Sequence, residues 1–375
     1  MAHNPRSAEE AIAWIGGEPA SLDEAAATAA ERLRRSRQPL FCGLGADIDG
    51  ARSAITLAEQ LGGVVDHDQS ASLLRVLDCY RQGGVMMTTP TEARARADLV
   101  LLVGTGLERD WPDIGEQLLT IPARPDGAGT SRTIICLADR GGPAIPGIDS
   151  EVVSFGAGSI FAANLAALRA RVNGRKISAA TAVTSALDAL AAQLRTARFG
   201  VAVWSAARLD ALAVDMIHGL VRDLNKTTRF STLALAPPDN GAGVLAACGW
   251  MTGFPMRTGF GAGFPVHDPW RFDAERLARS GECDCALWIS AFGSPPPPWS
   301  GDLDFIALSD VAPARADAAS VRIRVGCPGV GHPGVVHSAR TGGLIAMDAR
   351  QPGRAPSVAQ ALRAVAAHLG GVGAV

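Results

Sequence analysis

The feature that most constrains this fold is the alternation of short, continuous apolar runs with longer helical patterns along most of the chain. Each apolar run is short and lacks the polar alternation of a half-exposed strand, which is typical of a strand buried on both faces. Such strands alternating with helices predict parallel sheets covered by helices on both sides. The predicted buried strands are Pro39–Cys42, Asp98–Val103, Thr133–Leu137, Gly200–Trp204, Phe230–Leu235, Asp284–Phe292 and Phe305–Leu308.

Helix signals separate these strands and complete an α/β pattern. Ser21 and Glu24 have the spacing of a capping box, in which each side chain satisfies the backbone N–H of the other residue. A shorter strand-like run, Gly63–Asp66, passes through a polar cluster into a helical pattern from Leu73 onwards. Further helices are predicted at Ile160–Val172, Ala179–Thr196 and Leu212–Leu224.

Length and charge indicate which classes of protein to consider. A chain of 375 residues is long enough for two domains. Charged residues make up 19% of it, below the roughly 25% of an average soluble protein. A charge-poor surface is typical of a subunit that contacts other subunits, because interface cores are depleted in charged residues; compositional drift towards Ala and Gly is the alternative. The net charge of −2 provides no basic field for nucleic acid or an anionic membrane.

The expected location is the cytoplasm. The first residues lack the basic-then-apolar layout of a signal peptide, and no apolar run reaches the ~18 residues of a membrane span. The seven cysteines are odd in number and scattered, which fits reduced thiols better than a disulfide framework.

Three glycine-rich loops follow predicted strands, at the positions where parallel α/β folds bind ligands. They carry Gly43 with Gly45, then Gly104, and further on Gly243. Backbone N–H groups in such loops can approach a phosphate closely, and the helix that follows adds its positive end. Ile48 stands where the third glycine of a dinucleotide fingerprint would be needed. Since tight turns need glycine anyway, a structural role is favoured for each loop.

Metal-ligand patterns are weak. Cys283 and Cys285 share one face of a strand, but no second pair or nearby histidine completes a set of four ligands. Cys327, His332 and His337 occupy a Gly/Pro-rich loop with irregular spacing, which does not favour a metal. The sequence contains no nucleophile elbow, zinc-protease motif or P-loop. The residues alone therefore predict an α/β protein without visible catalytic chemistry.

From about position 33 onwards, longer motifs follow one another in a specific order, most distinctively Leu224–Thr228 and Asn240–Gly243. In this order they resemble the B subunit of formylmethanofuran dehydrogenase, a relative of the molybdopterin-dependent formate dehydrogenases. The resemblance implies two Rossmann-like three-layer α/β domains with mostly parallel sheets, like domains II and III of molybdopterin oxidoreductases. It also implies a vestigial pterin cleft, in which Asn240 and Gly243 would lie beside the pterin dinucleotide, with Gly43, Gly45 and Gly104 nearby.

The family layout implies how the domains are arranged along the chain. Residues 1–72 and 176–375 would form one discontinuous α/β domain, and residues 73–175 a Rossmann-like domain inserted at the former active-site loop. Asn173–Lys176 then indicates the polar return linker. A simple split near residue 175 is the alternative.

The chain departs from active members of the family at the metal site. Those members carry an N-terminal cysteine cluster for an iron–sulfur centre, whereas the first cysteine here is Cys42. They also place Cys or selenocysteine about six residues after the aspartate that ends the strand, and counting from Asp66 that position is Ser72. The cluster of His67, Asp68 and Ser72 is therefore interpreted as a degenerate site without a catalytic residue. No metal, molybdopterin or iron–sulfur cluster is expected.

Within this family, the chain most resembles the B subunit of the formyltransferase/hydrolase complex of methylotrophic bacteria. That complex moves a formyl group between tetrahydromethanopterin and a methanofuran analogue and releases formate, without any exchange of electrons. The resemblance implies a non-catalytic scaffold, partnered by an amidohydrolase-like subunit, a formyltransferase subunit and a further structural subunit. Two alternatives remain open: a molybdenum or tungsten enzyme with Ser72 as ligand, and a nucleotide-binding enzyme that uses Gly43, Gly45, Asn240 and Gly243.

Overall fold

The computed structural model describes residues 11–120, 132–139, 145, 147–311 and 319–370, apart from the side chain of residue 302. The chain divides into two compact units, each built on its own sheet. Unit one comprises Met1–Ser70, Pro238–His337 and Leu344–Val375. Unit two comprises Ala71–Pro237 and Ser338–Gly343.

Unit one contains a nine-stranded sheet whose five central strands run parallel. Antiparallel strands flank this block on both sides. From one edge to the other the strands are β11 (Val266–His267), β10 (Thr258–Gly259), β4 (Val64–Val65), β3 (Pro39–Gly45), β12 (Cys285–Ser290), β13 (Asp304–Ser309), β14 (Val321–Arg324), β1 (Ala13–Ile15) and β2 (Glu18–Ala20). A separate two-stranded sheet consists of β15 (Gly334–Ser338) and β16 (Gly343–Met347).

Helices lie on both faces of the unit-one sheet. The capping box predicted at Ser21 and Glu24 is present at the start of the first helix. Leu40, Trp288 and Phe305 pack with Leu277 in one apolar cluster. The helices of this unit are α1 (Leu22–Arg35), α2 (Ile48–Gln60), α8 (Gly241–Thr252), α9 (Ala274–Ser280) and α10 (Val358–His368).

Unit two contains a five-stranded sheet in which every neighbouring pair is parallel. Its strand order is β7 (Glu151–Ser154), β6 (Thr133–Ala138), β5 (Leu99–Val103), β8 (Gly200–Trp204) and β9 (Phe230–Ala234). Its helices are α3 (Ser70–Gly83), which begins at the division between the units, α4 (Pro90–Arg96), α5 (Ser159–Val172), α6 (Thr181–Arg195) and α7 (Ala211–Leu224).

Successive side chains of β5 show how the sheet of unit two is covered. Leu99 and Leu101 join an apolar cluster with residues of α5, α6 and α7. Val100 and Leu102 join a second cluster that includes Trp111. Because successive side chains of a strand point to opposite faces, the sheet has apolar layers on both sides. The three-layer α/β class predicted from the sequence is confirmed.

The predicted strands correspond to β3, β4, β5, β6, β8, β9, β12 and β13, and each begins within one residue of the observed strand. The three predicted helices that became α5, α6 and α7 begin within two residues of their predicted starts. Within the described part of the chain, no helix combines the length and apolar character needed to cross a bilayer.

The boundaries of the inserted unit differ from those implied by the family layout of 1–72, 73–175 and 176–375. The chain leaves unit one after Ser70 and returns at Pro238 rather than at Lys176. The reason is that β8 pairs with β5, and β9 with β8, so that residues 200–234 extend the sheet of unit two. The polar segment Asn173–Lys176 lies between α5 and α6 inside that unit.

Candidate functional site

Loops from three parts of the chain meet at the carboxyl edge of the unit-one sheet, the edge at which parallel α/β folds bind ligands. His67 follows β4, and its Nε2 lies 3.2 Å from the backbone oxygen of Asp239. Asn240 donates from Nδ2 to the backbone oxygen of Ala46, just after β3, at 2.8 Å. The structure therefore brings His67 and the Asn240 element together.

The imidazole of His67 is buried, and both of its nitrogens are engaged. The backbone N–H of Gln69 donates to Nδ1 at 2.9 Å, so Nδ1 is an acceptor and the proton resides on Nε2. Nε2–H then donates to Asp239. Burial lowers the pKa of the His67 imidazole, which keeps the ring neutral at neutral pH. With neither nitrogen free, the ring offers no lone pair to a metal or to a proton on a substrate.

The other two residues of the predicted degenerate cluster lie in different settings. Asp68 is exposed, and its carboxylate accepts from Nε2 of Gln69 at 2.8 Å. Ser72 is the third residue of α3 and belongs to unit two. The helix starts early because the backbone N–H of His67 donates to Oγ of Ser70 at 3.0 Å. The loop expected from His67 to Ser72 therefore ends before Ser72.

Asp66 is a buried carboxylate that the sequence marked only as the end of a strand. Its Oδ2 accepts from the backbone N–H of Ala274 at 2.9 Å, and Oδ1 lies 3.6 Å from Nε of Arg257. Burial raises the pKa of Asp66 to about 6, although the positive charge of Arg257 opposes the rise. Arg257 also pairs with Asp273 at 2.5 Å. This group of charges links the ends of β4, β10 and α9.

The turn before α8 is strained and is held by hydrogen bonds. Asp239 and Asn240 both have φ of 57°, a left-handed conformation that Asp and Asn tolerate better than most residues. The amide of Asn240 donates to Ala46, and its Oδ1 accepts from the backbone N–H of His337 at 2.8 Å. Asp239 accepts from Oγ of Ser294 at 2.5 Å. The chain's own groups thus engage both ends of the Asn240 amide.

Close contacts within unit one explain two of the predicted glycines. A Cβ atom added at Gly43 would lie 2.6 Å from the backbone oxygen of Ile289, and the φ of Gly43 is +73°. A Cβ atom at Gly243 would lie 2.3 Å from Oδ1 of Asn240. At Gly45 the nearest atoms are 3.4 Å or more away, which is ordinary contact. Packing requires glycine at position 43, whereas at position 243 the atoms that a Cβ would meet belong to the Asn240 side chain.

Gly104, the remaining glycine of the expected cleft, lies in unit two directly after β5. Its φ is +87°, and its N–H donates to the backbone oxygen of Leu137 at 2.9 Å. A left-handed turn at the end of a strand accounts for glycine here.

The N-terminus of α2 is capped by a carboxylate of the chain. Asp47 accepts from the backbone N–H of Gly50 at 3.0 Å. Burial raises the pKa of Asp47, and the hydrogen bond from Gly50 opposes this rise. In a nucleotide site a phosphate would use this positive helix end. Asp47 therefore already fills the role that the nucleotide-binding alternative assigns to a ligand.

The nearby thiols do not match the ligand position of a tungsten or molybdenum site. Cys42 is buried in β3 with Sγ 3.7 Å from the backbone oxygen of Leu287, and burial raises its pKa well above the usual range. Burial also raises the pKa of Cys283 to about 11 and that of Cys285 to about 12. Metals bind the thiolate rather than the thiol. In the described ranges, no group of three or more His, Cys, Asp or Glu residues is arranged to hold a metal ion.

The Gly/Pro-rich loop near the end of unit one directs its polar atoms to its own backbone. The two ring nitrogens of His332 lie 3.1 Å from the oxygen of Gly326 and 2.6 Å from that of Pro333. Sγ of Cys327 lies 3.7 Å from the oxygen of Pro328, and burial raises the pKa of this thiol. These three polar atoms therefore contact backbone oxygens of the same loop.

Comparisons with known proteins extend these findings. No family model matches the chain. The Fhc B subunit of the formyltransferase/hydrolase complex of Methylorubrum extorquens is 35% identical over 349 residues, which cover 92% of this chain and 93% of that protein. The B subunit of the tungsten-containing formylmethanofuran dehydrogenase 2 of Methanocaldococcus jannaschii is 26% identical over 293 residues, 70% of this chain and 62% of that protein.

A solved structure shares the fold over nearly the whole chain. It is the crystal structure of the formyltransferase/hydrolase complex FhcABCD from Methylorubrum extorquens in complex with methylofuran. One of its chains matches with a TM-score of 0.84 and 35% identity, covering 95% of this chain and 98% of that one.

Proposed function

Because this chain belongs to the family of the B subunit of the formyltransferase/hydrolase complex, we propose that it is a structural subunit of such a complex. The complex would move a formyl group between tetrahydromethanopterin and a methanofuran analogue and release formate. Its other members would be an amidohydrolase-like subunit, a formyltransferase subunit and a further structural subunit. Agreement of sequence and fold over nearly the whole chain carries this proposal.

We also propose that the chain contributes no catalytic residue. The main support is His67, whose two ring nitrogens are both occupied by hydrogen bonds within the protein. Ser72 lies inside α3, and burial keeps the thiol of Cys42 protonated. Formyl transfer and hydrolysis exchange no electrons, so neither step requires a redox metal. The role left for this subunit is to hold its partners in position.

The two alternatives have weaker support. A molybdenum or tungsten enzyme would need Ser72 as an oxygen ligand, together with further donors from the residues around it. A nucleotide-binding enzyme would need a free helix N-terminus after Gly43 and Gly45, where the carboxylate of Asp47 already caps α2. The cytoplasmic location is proposed together with the scaffold role, and it is supported by seven cysteines that all remain free thiols.

Co-expression tests the proposal. A tagged chain produced with the other subunits from its host should retain them in fixed stoichiometry, and omission of this chain should prevent assembly. Produced alone, it should self-associate or bind a hydrophobic dye, because its charge-poor surface would be uncovered. A monodisperse monomer that retains no subunit would contradict the scaffold role. Formyl transfer by the isolated chain would contradict the absence of catalytic residues.

A further inference from the structure

The exposed large aromatic side chains are concentrated in one short segment of unit one. Trp250, Phe254, Phe264 and Trp270 are 65%, 39%, 62% and 72% exposed. All seven tryptophans and eleven phenylalanines lie in the described residues, and none of the others is exposed. The single tyrosine, Tyr80 in unit two, is 36% exposed. Together with the exposed Met251, these four residues are called the aromatic surface below.

The segment is also poor in charged residues. Between Trp250 and Trp270 the only Asp, Glu, Lys or Arg residues are Arg257 and Asp268, although 19% of the whole chain is charged. The guanidinium of Arg257 is itself paired with Asp273. Helix α8 contains no charged residue at all, and a helix that is apolar all round is normally buried on every side. The exposure of Trp250 on this helix therefore indicates that another protein surface covers it.

Two of the exposed rings are held in place before any partner binds. The guanidinium of Arg276 lies 4.5 Å from the ring centroid of Trp270, and Arg276 is fixed by an ion pair with Glu282 at 2.5 Å. Phe254 stacks on His267, with ring centroids 6.2 Å apart and an interplanar angle of 16°. Side chains that are ordered in advance lose less entropy on binding. Fixed aromatic rings of this kind are typical anchors of protein interfaces.

The area available is large enough for the core of an interface. At about 150–250 Å² per aromatic side chain, the exposed parts of the four rings offer on the order of 500 Å² of apolar surface. A standard interface buries about 800 Å² on each partner. The summed exposed area of these four rings is thus more than half of what one side of such an interface buries.

We propose that the aromatic surface is the docking site for a different subunit of the same complex, one that presents an apolar, charge-poor face to it. This inference rests on the proposed function, because it requires the chain to work among other subunits. A different subunit is favoured over a second copy because the solved complex that matches this chain is named for four different subunits. An apolar face is favoured because a carboxylate buried against these rings would lack a partner.

A double variant, Trp250→Lys with Trp270→Glu, tests the proposal without changing the net charge. Lysine suits the last turn of α8, and glutamate can pair with Arg276, so both changes suit the fold of unit one. The matched control is Leu212→Asp, which places a charge at another exposed apolar position, on the first turn of α7 in unit two. The readout is the amount of each subunit retained by the tagged full-length chain during co-expression.

Wild type and the control should retain the partner subunits equally, whereas the double variant should bind one of them at least about 30-fold more weakly, as expected for loss of an anchor residue. Phe264→Ser should weaken the binding of the same subunit. Both the double variant and Phe264→Ser should keep wild-type resistance to proteolysis. Full retention by the double variant would overturn the docking site while leaving the scaffold role intact. The docking site would also be overturned if retention is lost only in a variant with reduced resistance to proteolysis. It would likewise be overturned if the variants lose only the self-association of the chain. Failure of wild type to retain any subunit would overturn the scaffold role, and the docking site with it.

Discussion

The Nε2 atom of His67 lies 3.2 Å from the backbone carbonyl oxygen of Asp239. This hydrogen bond ties the end of β4 to the strained turn that begins α8, and the second ring nitrogen is engaged by Gln69. A histidine that resembles a catalytic residue in the sequence thus joins two loops of unit one. Its removal is expected to affect stability rather than chemistry.

His67→Ala and Ser72→Ala should leave formyl transfer and formate release, measured per assembled complex, within a few-fold of wild type. Loss of a catalytic acid or base usually costs about 10²–10⁴-fold. His67→Ala should instead lower the free energy of unfolding by about 1–3 kcal/mol, because two buried backbone groups lose their partner. Turnover lost from complexes of normal composition and stability would identify a catalytic residue.

Complex purified through this chain should contain less than stoichiometric molybdenum, tungsten and iron by plasma mass spectrometry. The reason is the donor set, since Ser72 provides no thiolate and burial raises the pKa of the Cys42 thiol. Stoichiometric tungsten or molybdenum that disappears on Ser72→Ala would instead support the metalloenzyme alternative.

Asp66→Asn should remove part of the pH dependence of stability between about pH 4 and pH 6. Burial raises the folded-state pKa of Asp66 to about 6, compared with about 3.9 in an unfolded chain, so the folded state binds this proton more tightly. The resulting stabilisation, about 3 kcal/mol, is complete below pH 4 and is lost as the pH rises through 6. Thermal unfolding of the assembled complex at several pH values measures this stabilisation as the difference in stability between wild type and Asp66→Asn. A pH-independent difference would show that Asp66 titrates normally.

Asn240→Ala and Asn240→Gly should both destabilise the protein, the alanine variant more strongly. Each loses the hydrogen bonds to Ala46 and His337, which together account for about 1–3 kcal/mol. Alanine should cost about 1 kcal/mol more, because its Cβ disfavours a φ of 57°. Urea or thermal unfolding of the two variants within the complex provides the comparison. Equal stability would argue against a left-handed residue 240.

Leu101→Asp should sharply reduce the yield of assembled complex, because an unpaired carboxylate buried in β5 costs several kcal/mol. Leu101 is fully buried in the centre of the unit-two sheet. Val152→Asp provides the control, since Val152 is exposed on the edge strand β7 of the same sheet and should tolerate the charge. Similar yields from both variants would contradict the assigned burial of β5.

The long buried strands could be predicted because each is a continuous apolar run whose ends are marked by polar residues. For β8 the sequence predicts both observed ends, Gly200 and Trp204. Helix α8 could not be recognised from periodicity, because its apolar residues surround the axis and leave no polar stripe. Strands β10 and β11 have two residues each, and their pairing depends on β4, which is distant in sequence.

The candidate site was only partly accessible to sequence reasoning. His67 was identified because it stands in a polar cluster directly after a strand. Asp239 contacts it through a backbone carbonyl, a group that every residue carries and that leaves no signature in the sequence. The ion pair of Asp66 with Arg257 joins segments far apart in the chain, so no local sequence pattern predicts it.

The insertion of unit two has a consequence for synthesis of the chain. Cys42 in β3 contacts Leu287 in β12 across 245 positions, so the central pair of the unit-one sheet cannot form until most of the chain has been translated. At about 5–20 residues per second, this delay is on the order of tens of seconds. Unit two can complete its parallel sheet during that time, while β3 and its apolar neighbours remain without their partner strand until β12 has been synthesised. Nascent chains are then most exposed to aggregation before β12 emerges from the ribosome.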